Sequence, residues 1–161
     1  MVSCYFNRPV ISSPLSMAEV VKSVLVPYSA AEMFVLVDGV ESYPQFLPWC
    51  GGSEVLLRDE EVTEATIHIS YLQVKQHFST RNSKRYPEEM SIRLKSGPFQ
   101  KLEGFWRFKP LADTACKIEF VMNYEFSSLL LNKVLGPVFG MITNSLVDAF
   151  VHRAEQVYGE R

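Results

Sequence analysis

Much of the chain alternates between apolar and polar positions, as is typical of β-strands. A first segment runs from Glu19 to Val26 and ends before Pro27. The clearest strand segment spans Thr114 to Phe126. Every second residue from Cys116 onward is apolar, as expected for an antiparallel strand with one face in solvent. Five further strands are predicted between these two, at Ser53–Arg58, Val62–Leu72, Val74–Lys84, Glu88–Lys95 and Lys101–Lys109. Their short connections predict hairpin pairing between consecutive strands.

A short helix is predicted after the first strand. Ser29 and Glu32 have the spacing of a capping box, in which the serine hydroxyl accepts a hydrogen bond from the third-position amide while the glutamate reaches back to the cap. Gly39 ends this helix, and an irregular turn follows from Val40 to Pro48.

The carboxy-terminal segment changes to helical spacing. From Leu129 to Gly159 the apolar residues recur three and four positions apart, which predicts a long amphipathic helix. Gly136-Pro137 interrupts the pattern early. Because proline lacks an amide hydrogen and its ring clashes with the preceding turn, this pair either kinks the helix or splits off its first turn.

Together these elements predict an α+β domain. It contains a curved antiparallel sheet of about six to seven strands, two short helices after the first strand, and a long helix whose apolar stripe lies over the sheet. A twisted sheet that curls around a helix either packs solid or keeps a cavity between the two. We assign residues 17–161 to this single domain.

Composition narrows the class of protein. With 47% hydrophobic and 21% charged residues, the 161-residue chain has the composition of one globular domain and not of a disordered protein. A net charge of -2 gives no overall attraction to nucleic acid or anionic lipid. The three cysteines lie too far apart for a CxxC site, which fits a reducing, cytoplasmic location, and no uncharged apolar run reaches the ~18 residues of a spanning helix.

Residues 1–16 differ from the rest of the chain. They carry one charge, at Arg8, and are rich in serine, with no apolar block of the kind a signal peptide needs. They resemble a transit peptide only weakly. We therefore expect a disordered extension, or a start codon placed early.

Several motifs, in order along nearly the whole chain from Met17, resemble one known family. They are Val26–Met33, Ser42–Cys50, Gly97–Pro110, Cys116–Phe120, Ala149–Ala154 and Val157–Gly159. With these motifs the chain resembles the START-like family, within the polyketide cyclase-like superfamily, that joins mitochondrial coenzyme Q-binding proteins to bacterial ribosome association toxins of the RatA type. It looks bacterial in type, because it lacks a convincing presequence.

The resemblance implies a helix-grip fold in which the long helix closes a hydrophobic tunnel against the sheet. In the mitochondrial branch the tunnel holds ubiquinone or a similar prenyl lipid and supports respiration, without catalysis and without a required cofactor. The bacterial branch implies an alternative function, namely a toxin that binds the large ribosomal subunit and blocks subunit association.

Apolar side chains facing this tunnel are the candidate ligand contacts, although an aromatic and methionine stripe is also what a plain core contains. Burial of each CH₂ of a prenyl chain contributes ~0.8 kcal/mol, so few polar atoms are needed for the head group, and Tyr71, Tyr124 and Cys116 are candidates. The strands and the helix supply Trp106, Phe108, Cys116, Ile118, Phe120, Met122, Tyr124, Val138, Phe139, Ile142, Leu146 and Phe150.

Two loops are predicted to form the mouth of the tunnel. The first is an aromatic turn with Tyr43, Phe46 and Trp49, whose exposed rings suit a transient contact with a bilayer during lipid exchange. The second contains Pro98 and Phe99. For this loop, turn chemistry alone favours a plain connection between strands.

Charge is uneven along the chain. Between Lys75 and Lys109 there are nine basic and three acidic residues, a local excess of +6. On adjoining strands these side chains form either a basic face that docks on ribosomal RNA or an ordinary solvated face. The candidates for ribosome binding are Lys75, Arg81, Lys84 and Arg85.

Catalytic motifs are scarce. His68, His77 and His152 lie on different elements, and the sequence has no metal-binding spacing, nucleophile elbow or phosphate-binding loop. Cys50 fits a packed thiol better than a nucleophile. We therefore expect a monomeric, non-catalytic binding protein, since an enzyme of cyclase or hydrolase type has only analogy of fold behind it.

Overall fold

The computed structural model describes residues 17–161, so the extension predicted for residues 1–16 lies outside the described residues. Seven strands form one antiparallel sheet in the order β1-β7-β6-β5-β4-β3-β2. The strands are β1 (Ala18–Val26), β2 (Cys50–Arg58), β3 (Val62–Tyr71), β4 (Val74–Arg85), β5 (Glu89–Ser96), β6 (Phe99–Ala112) and β7 (Ala115–Phe126), and the helices are α1 (Ala30–Asp38), a 3₁₀ helix (Val40–Gln45) and α2 (Leu129–Tyr158). The predicted fold class is confirmed.

Strands β2 to β7 follow the predicted meander, but β1 joins the sheet at its far end. Val20 pairs with Met122 and Val24 with Ile118 of β7. On β7 the even-numbered residues are buried in strict alternation, as the sequence pattern predicts. Strand β6 is longer than predicted, because its pairing with β7 continues past a register shift near each of its ends.

Close approach between β6 and β7 requires glycine at position 104. A Cβ there would lie 2.1 Å from the backbone oxygen of Val121, which no side chain tolerates. Gly104 therefore keeps the middle of the sheet tightly paired beneath α2.

The capping box of α1 is confirmed. The Ser29 hydroxyl accepts from the amide of Glu32 at 3.1 Å, and the Ser29 amide donates to the Glu32 carboxylate at 3.0 Å. Met33, Phe34 and Val37 bury one face of the helix. Two side-chain hydrogen bonds then join this region to the end of α2, from Tyr158 to the carbonyl of Glu32 and from Tyr28 to the carbonyl of Gly159.

Helix α2 is continuous through Gly136-Pro137, so the first turn is not split off. Ser128 caps its amino end by accepting from the amide of Leu131 at 3.1 Å. By length and composition alone, the helix is long and apolar enough to span a membrane. In the fold, 44% of its most apolar stretch is buried. Its buried residues, which face the sheet, are Leu135, Phe139, Ile142, Thr143, Val147, Phe150, Val151 and Ala154.

Candidate functional site

A partly enclosed cavity of about 70 Å³ lies between the sheet and α2. Strands β3 to β7 form its floor, α2 covers it, and α1 and the 3₁₀ helix close one end. Its walls are almost entirely apolar. They consist of Val37, Val40, Tyr43, Trp49, Ile67, Phe78, Thr80, Asn82, Met90, Ile92, Leu102, Trp106, Phe120, Met122, Phe139, Ile142, Thr143, Leu146 and Phe150.

Part of the predicted ligand set lines this cavity. The members that do so are Trp106, Phe120, Met122, Phe139, Ile142, Leu146 and Phe150. The members that do not are Phe108, Cys116, Ile118, Tyr124 and Val138. Phe108, Cys116 and Ile118 are fully buried in the core, where Phe108 packs edge-on against Phe34 of α1 at 6.0 Å. Phe108, Cys116 and Ile118 are core because α1 covers that end of the sheet.

The aromatic turn is not an open mouth. Tyr43 and Trp49 are buried, and the Tyr43 hydroxyl donates to the carbonyl of Val37 at 2.5 Å. Phe46 packs against Phe150 at 5.4 Å and lies under the guanidinium of Arg153. The turn therefore seals one end of the cavity, which corrects the expectation of exposed rings.

The second predicted mouth loop is also closed. Phe99 is buried and stacks on Phe126 at 4.8 Å, with Phe139 of α2 at 4.9 Å. Gly97 before it has φ +149°, and a Cβ there would lie 2.7 Å from that of Phe78. Pro98 accepts from the amide of Ser127 at 3.1 Å. This loop is a packed connection, as its turn chemistry indicates.

Strands β3 to β5 supply walls that the sequence reasoning missed. Ile67, Phe78, Met90 and Ile92 line the cavity beside two buried polar residues, Thr80 and Asn82. The inner positions of β4 therefore include threonine and asparagine, so the strand reads as polar on both faces. The inner face of β4 can therefore be recognised only from its pairing with the neighbouring strands, which shows which alternate positions are buried.

The three candidate head-group contacts lie off the cavity. Tyr71 is partly exposed at the end of β3. Tyr124 is buried against Phe139, with ring centroids 4.6 Å apart, and burial raises the pKa of its hydroxyl. Burial also raises the pKa of Cys116 to about 12. Neither buried group is ionised near neutral pH, and neither reaches the cavity in this conformation.

The basic face predicted from the local charge excess is largely neutralised. Arg81 pairs with Glu64 at 2.5 Å, and Arg85 pairs with Glu89 at 2.8 Å. Lys75 remains exposed and has no carboxylate partner among residues 17–161. Pairing across neighbouring strands thus leaves scattered cations instead of a continuous basic patch.

Lys84 is corrected as a candidate for ribosome binding. It lies on the inner parity of β4, only 5% of its side chain is exposed, and its ammonium contacts Asp38 of α1 at 3.1 Å. The same carboxylate accepts from the Thr63 hydroxyl at 2.7 Å. This lysine holds α1 against the sheet and does not face solvent.

The cavity contains no strong acid or base. Among its lining residues within 17–161 there is no Asp, Glu, His, Lys or Arg, and burial raises the pKa of Tyr43 far above its usual value. His68 and His152 lie at the surface beside Glu54 and Glu155. The described lining therefore offers no carboxylate, imidazole or amine for general acid–base catalysis.

Fold and cavity define the class: a START-like domain, with a sheet that grips a long helix across an apolar space. The chain belongs to the polyketide cyclase / dehydrase and lipid transport family, whose model matches residues 26–151. It is 40% identical to the ribosome association toxin RatA of Escherichia coli (strain K12), over 90% of this chain and 92% of that protein. It is 29% identical to the mitochondrial coenzyme Q-binding protein COQ10 homolog B of Xenopus laevis, over 87% of this chain and 59% of that protein.

Solved structures share the fold at lower identity. The Zhui aromatase/cyclase of Streptomyces sp. R1128 superposes with a TM-score of 0.75 at 15% identity, covering 87% of this chain and 94% of that one. At this identity the likeness concerns the fold alone. The named relatives are toxins or coenzyme Q-binding proteins, whereas the structural neighbours include cyclases.

Proposed function

We propose that this protein binds a prenyl quinone-type lipid between the sheet and α2 without transforming it. The observation that carries the proposal is the apolar cavity, which is lined by Trp106, Phe120 and Phe150 and contains no strong acid or base among the described residues. The likeness to a coenzyme Q-binding protein supports this class of ligand. The lack of an acid–base pair supports binding over catalysis.

The cavity must widen to admit such a ligand. At about 70 Å³ it is smaller than the roughly 300–1,000 Å³ of typical ligand pockets and has room for about two water molecules. The covering residues Phe139, Ile142 and Leu146 all belong to α2, which contacts the sheet through side chains. Outward displacement of α2 therefore enlarges the space without breaking the hydrogen bonds of the sheet.

The free energy for opening comes from the ligand itself. Burial of one isoprene unit contributes about 4 kcal/mol at ~0.8 kcal/mol per carbon. Two or three units thus offset separation of the helix from part of the sheet, which exposes several apolar side chains. A short, unprenylated ring lacks this contribution and is expected to bind more weakly.

Extraction and thermal shift test the proposal. Protein purified without detergent is extracted with organic solvent and analysed by mass spectrometry, and its melting temperature is measured with and without ubiquinone. We expect a co-purifying prenyl lipid and a higher melting temperature. Absence of both would refute quinone binding.

A matched pair of tryptophan variants localises the site. Leu146→Trp fills the cavity from α2 and is expected to abolish the shift caused by ubiquinone. Val157→Trp adds the same side chain at an exposed position of the same helix and is expected to retain the shift. If both variants lose the shift in melting temperature, or if both retain it, binding lies elsewhere.

Association with the ribosome is a second candidate function, favoured by the 40% identity to RatA over nearly the full length of both chains. The exposed cations Lys75 and Arg93 lie on the outer face of neighbouring strands, and no carboxylate within residues 17–161 pairs with either. They are suited to contact phosphate, and such contacts weaken as salt rises. We infer that this outer face carries ribosome contact while the cavity binds lipid.

Sedimentation through sucrose gradients tests the second candidate. At low salt we expect the protein to travel with large ribosomal subunits, and the double variant Lys75→Glu, Arg93→Glu to remain at the top. Lys133→Glu on α2 makes the same kind of charge change away from the sheet and should behave as wild type. A wild-type protein that never enters the subunit fractions would exclude this function.

A further inference from the structure

One buried polar atom in the cavity has no hydrogen-bond partner. The side chain of Asn82 is on the inner face of β4, the residue is 7% exposed, and its Oδ1 contacts no donor among residues 17–161. It is the only such side-chain oxygen or nitrogen in the part of the chain that the structure describes. An unsatisfied buried acceptor costs about 1–3 kcal/mol, so a group that donates to it stabilises the folded protein.

The other end of the amide fixes its orientation. Asn82 Nδ2 lies 3.8 Å from the thioether sulfur of Met90, which accepts hydrogen bonds but cannot donate them. Turning the amide over would place two acceptors together at the sulfur. The oxygen is therefore the end of the amide that lacks a hydrogen-bond partner, and it selects a donor.

Nearby polar groups do not supply that donor. The Thr143 hydroxyl donates to the carbonyl of Phe139 at 3.0 Å within its own helix. The hydroxyls of Ser79 and Thr66 pair with each other at 2.7 Å. Thr80, on the same face of β4, also lines the cavity, and its hydroxyl does not donate to Asn82 Oδ1. The other lining residues are mainly apolar and include the rings of Trp106 and Phe120.

We propose that Asn82 makes the cavity selective for a ring that carries a hydroxyl donor, the reduced hydroquinone form of the lipid, over the oxidised quinone. This inference rests on the proposed lipid-binding function and specifies the state of its ligand. A hydroquinone hydroxyl donates to Asn82 Oδ1, while its ring packs among the aromatic side chains. A quinone carbonyl is an acceptor only, and it leaves two acceptors facing each other.

Calorimetry under anaerobic conditions tests this selectivity with a short-chain ubiquinone and the ubiquinol made by reducing it. For wild-type protein we expect ubiquinol to bind about tenfold more tightly, the effect of one net hydrogen bond. Asn82→Leu removes the acceptor at similar size and should bind both forms alike. Ser79→Ala changes a buried polar residue on the outer face of the same strand and should keep the preference.

The outcomes separate this inference from the function beneath it. Equal affinity of wild-type protein for the two forms overturns the selectivity and leaves lipid binding intact, as when a water molecule satisfies Asn82. Binding of neither form overturns lipid binding and the selectivity with it. Because the wild-type measurement alone decides between these results, a poorly folded Asn82→Leu variant does not obscure the answer.

Discussion

The ion pair between Asp38 and Lys84 is expected to stabilise the protein asymmetrically. Lys84 has one carboxylate partner, at 3.1 Å. Asp38 has two further partners, because its carboxylate also accepts a hydrogen bond from the Thr63 hydroxyl at 2.7 Å and lies 3.7 Å from the Arg58 guanidinium. Removing the aspartate charge therefore strands a buried ammonium, whereas removing the lysine leaves an aspartate that is still well supported.

Magnitudes follow from this difference. Breaking a buried pair by removing one partner costs about 3–5 kcal/mol when the remaining charge has no other partner. We assign that range to Asp38→Asn. For Lys84→Met we expect about 1.5–3 kcal/mol, the cost of one lost charged hydrogen bond. The double variant should cost less than the sum, since neither charge is then left unpaired.

Urea unfolding at neutral pH measures all three variants against wild type. Each kcal/mol also lowers the melting temperature by about 2–4 °C for a chain of this length. Equal losses for the two single variants, or a double variant that costs their full sum, would refute the reasoning.

Three further predictions concern stability. Gly104→Ala forces a Cβ against the backbone of β7 and is expected to cost about 3 kcal/mol or more by urea unfolding. Gly52→Ala, whose Cβ would make only ordinary contact with the His68 side chain at 3.7 Å, should be nearly neutral. Phe150→Ala, at a fully buried position beside the cavity, should cost about 3–5 kcal/mol by calorimetry; a loss below about 1 kcal/mol would mean that the helix repacks. Hydrogen bonding by Arg161 lowers the pKa of Glu32, so Arg161→Ala should cause a small loss of stability at pH 7 that vanishes as acid protonates Glu32; an undiminished loss in acid would contradict the pairing.

Strand and helix types were predictable because local periodicity determines them. The alternation in β7 and the three-and-four spacing in α2 each follow from which face is buried, and the capping box at Ser29 and Glu32 is purely local. The edge position of β1 was not predictable from hairpin rules, since it depends on pairing between the two ends of the domain.

The site was predictable on one side only. Residues of β6, β7 and α2 emerged from their apolar pattern, but the wall formed by β4 was hidden by Thr80 and Asn82. An exposed mouth was predicted from aromatic residues, but the Tyr43 hydroxyl donates to the buried carbonyl of Val37, so the turn packs against the core. In each case the outcome depends on a partner distant in sequence or on a single hydrogen bond, and neither leaves a periodic signal.

Pairing of β1 with β7 has a consequence during synthesis. Among residues 17–161, the first strand is hydrogen-bonded to the last strand, and the helix that covers both follows later still. A nascent chain therefore emerges with an apolar strand that waits for its neighbour, and such long-range contacts slow folding. Truncation from the carboxyl end removes the partner and the cover together, so shortened products are expected to be bound by chaperones or degraded.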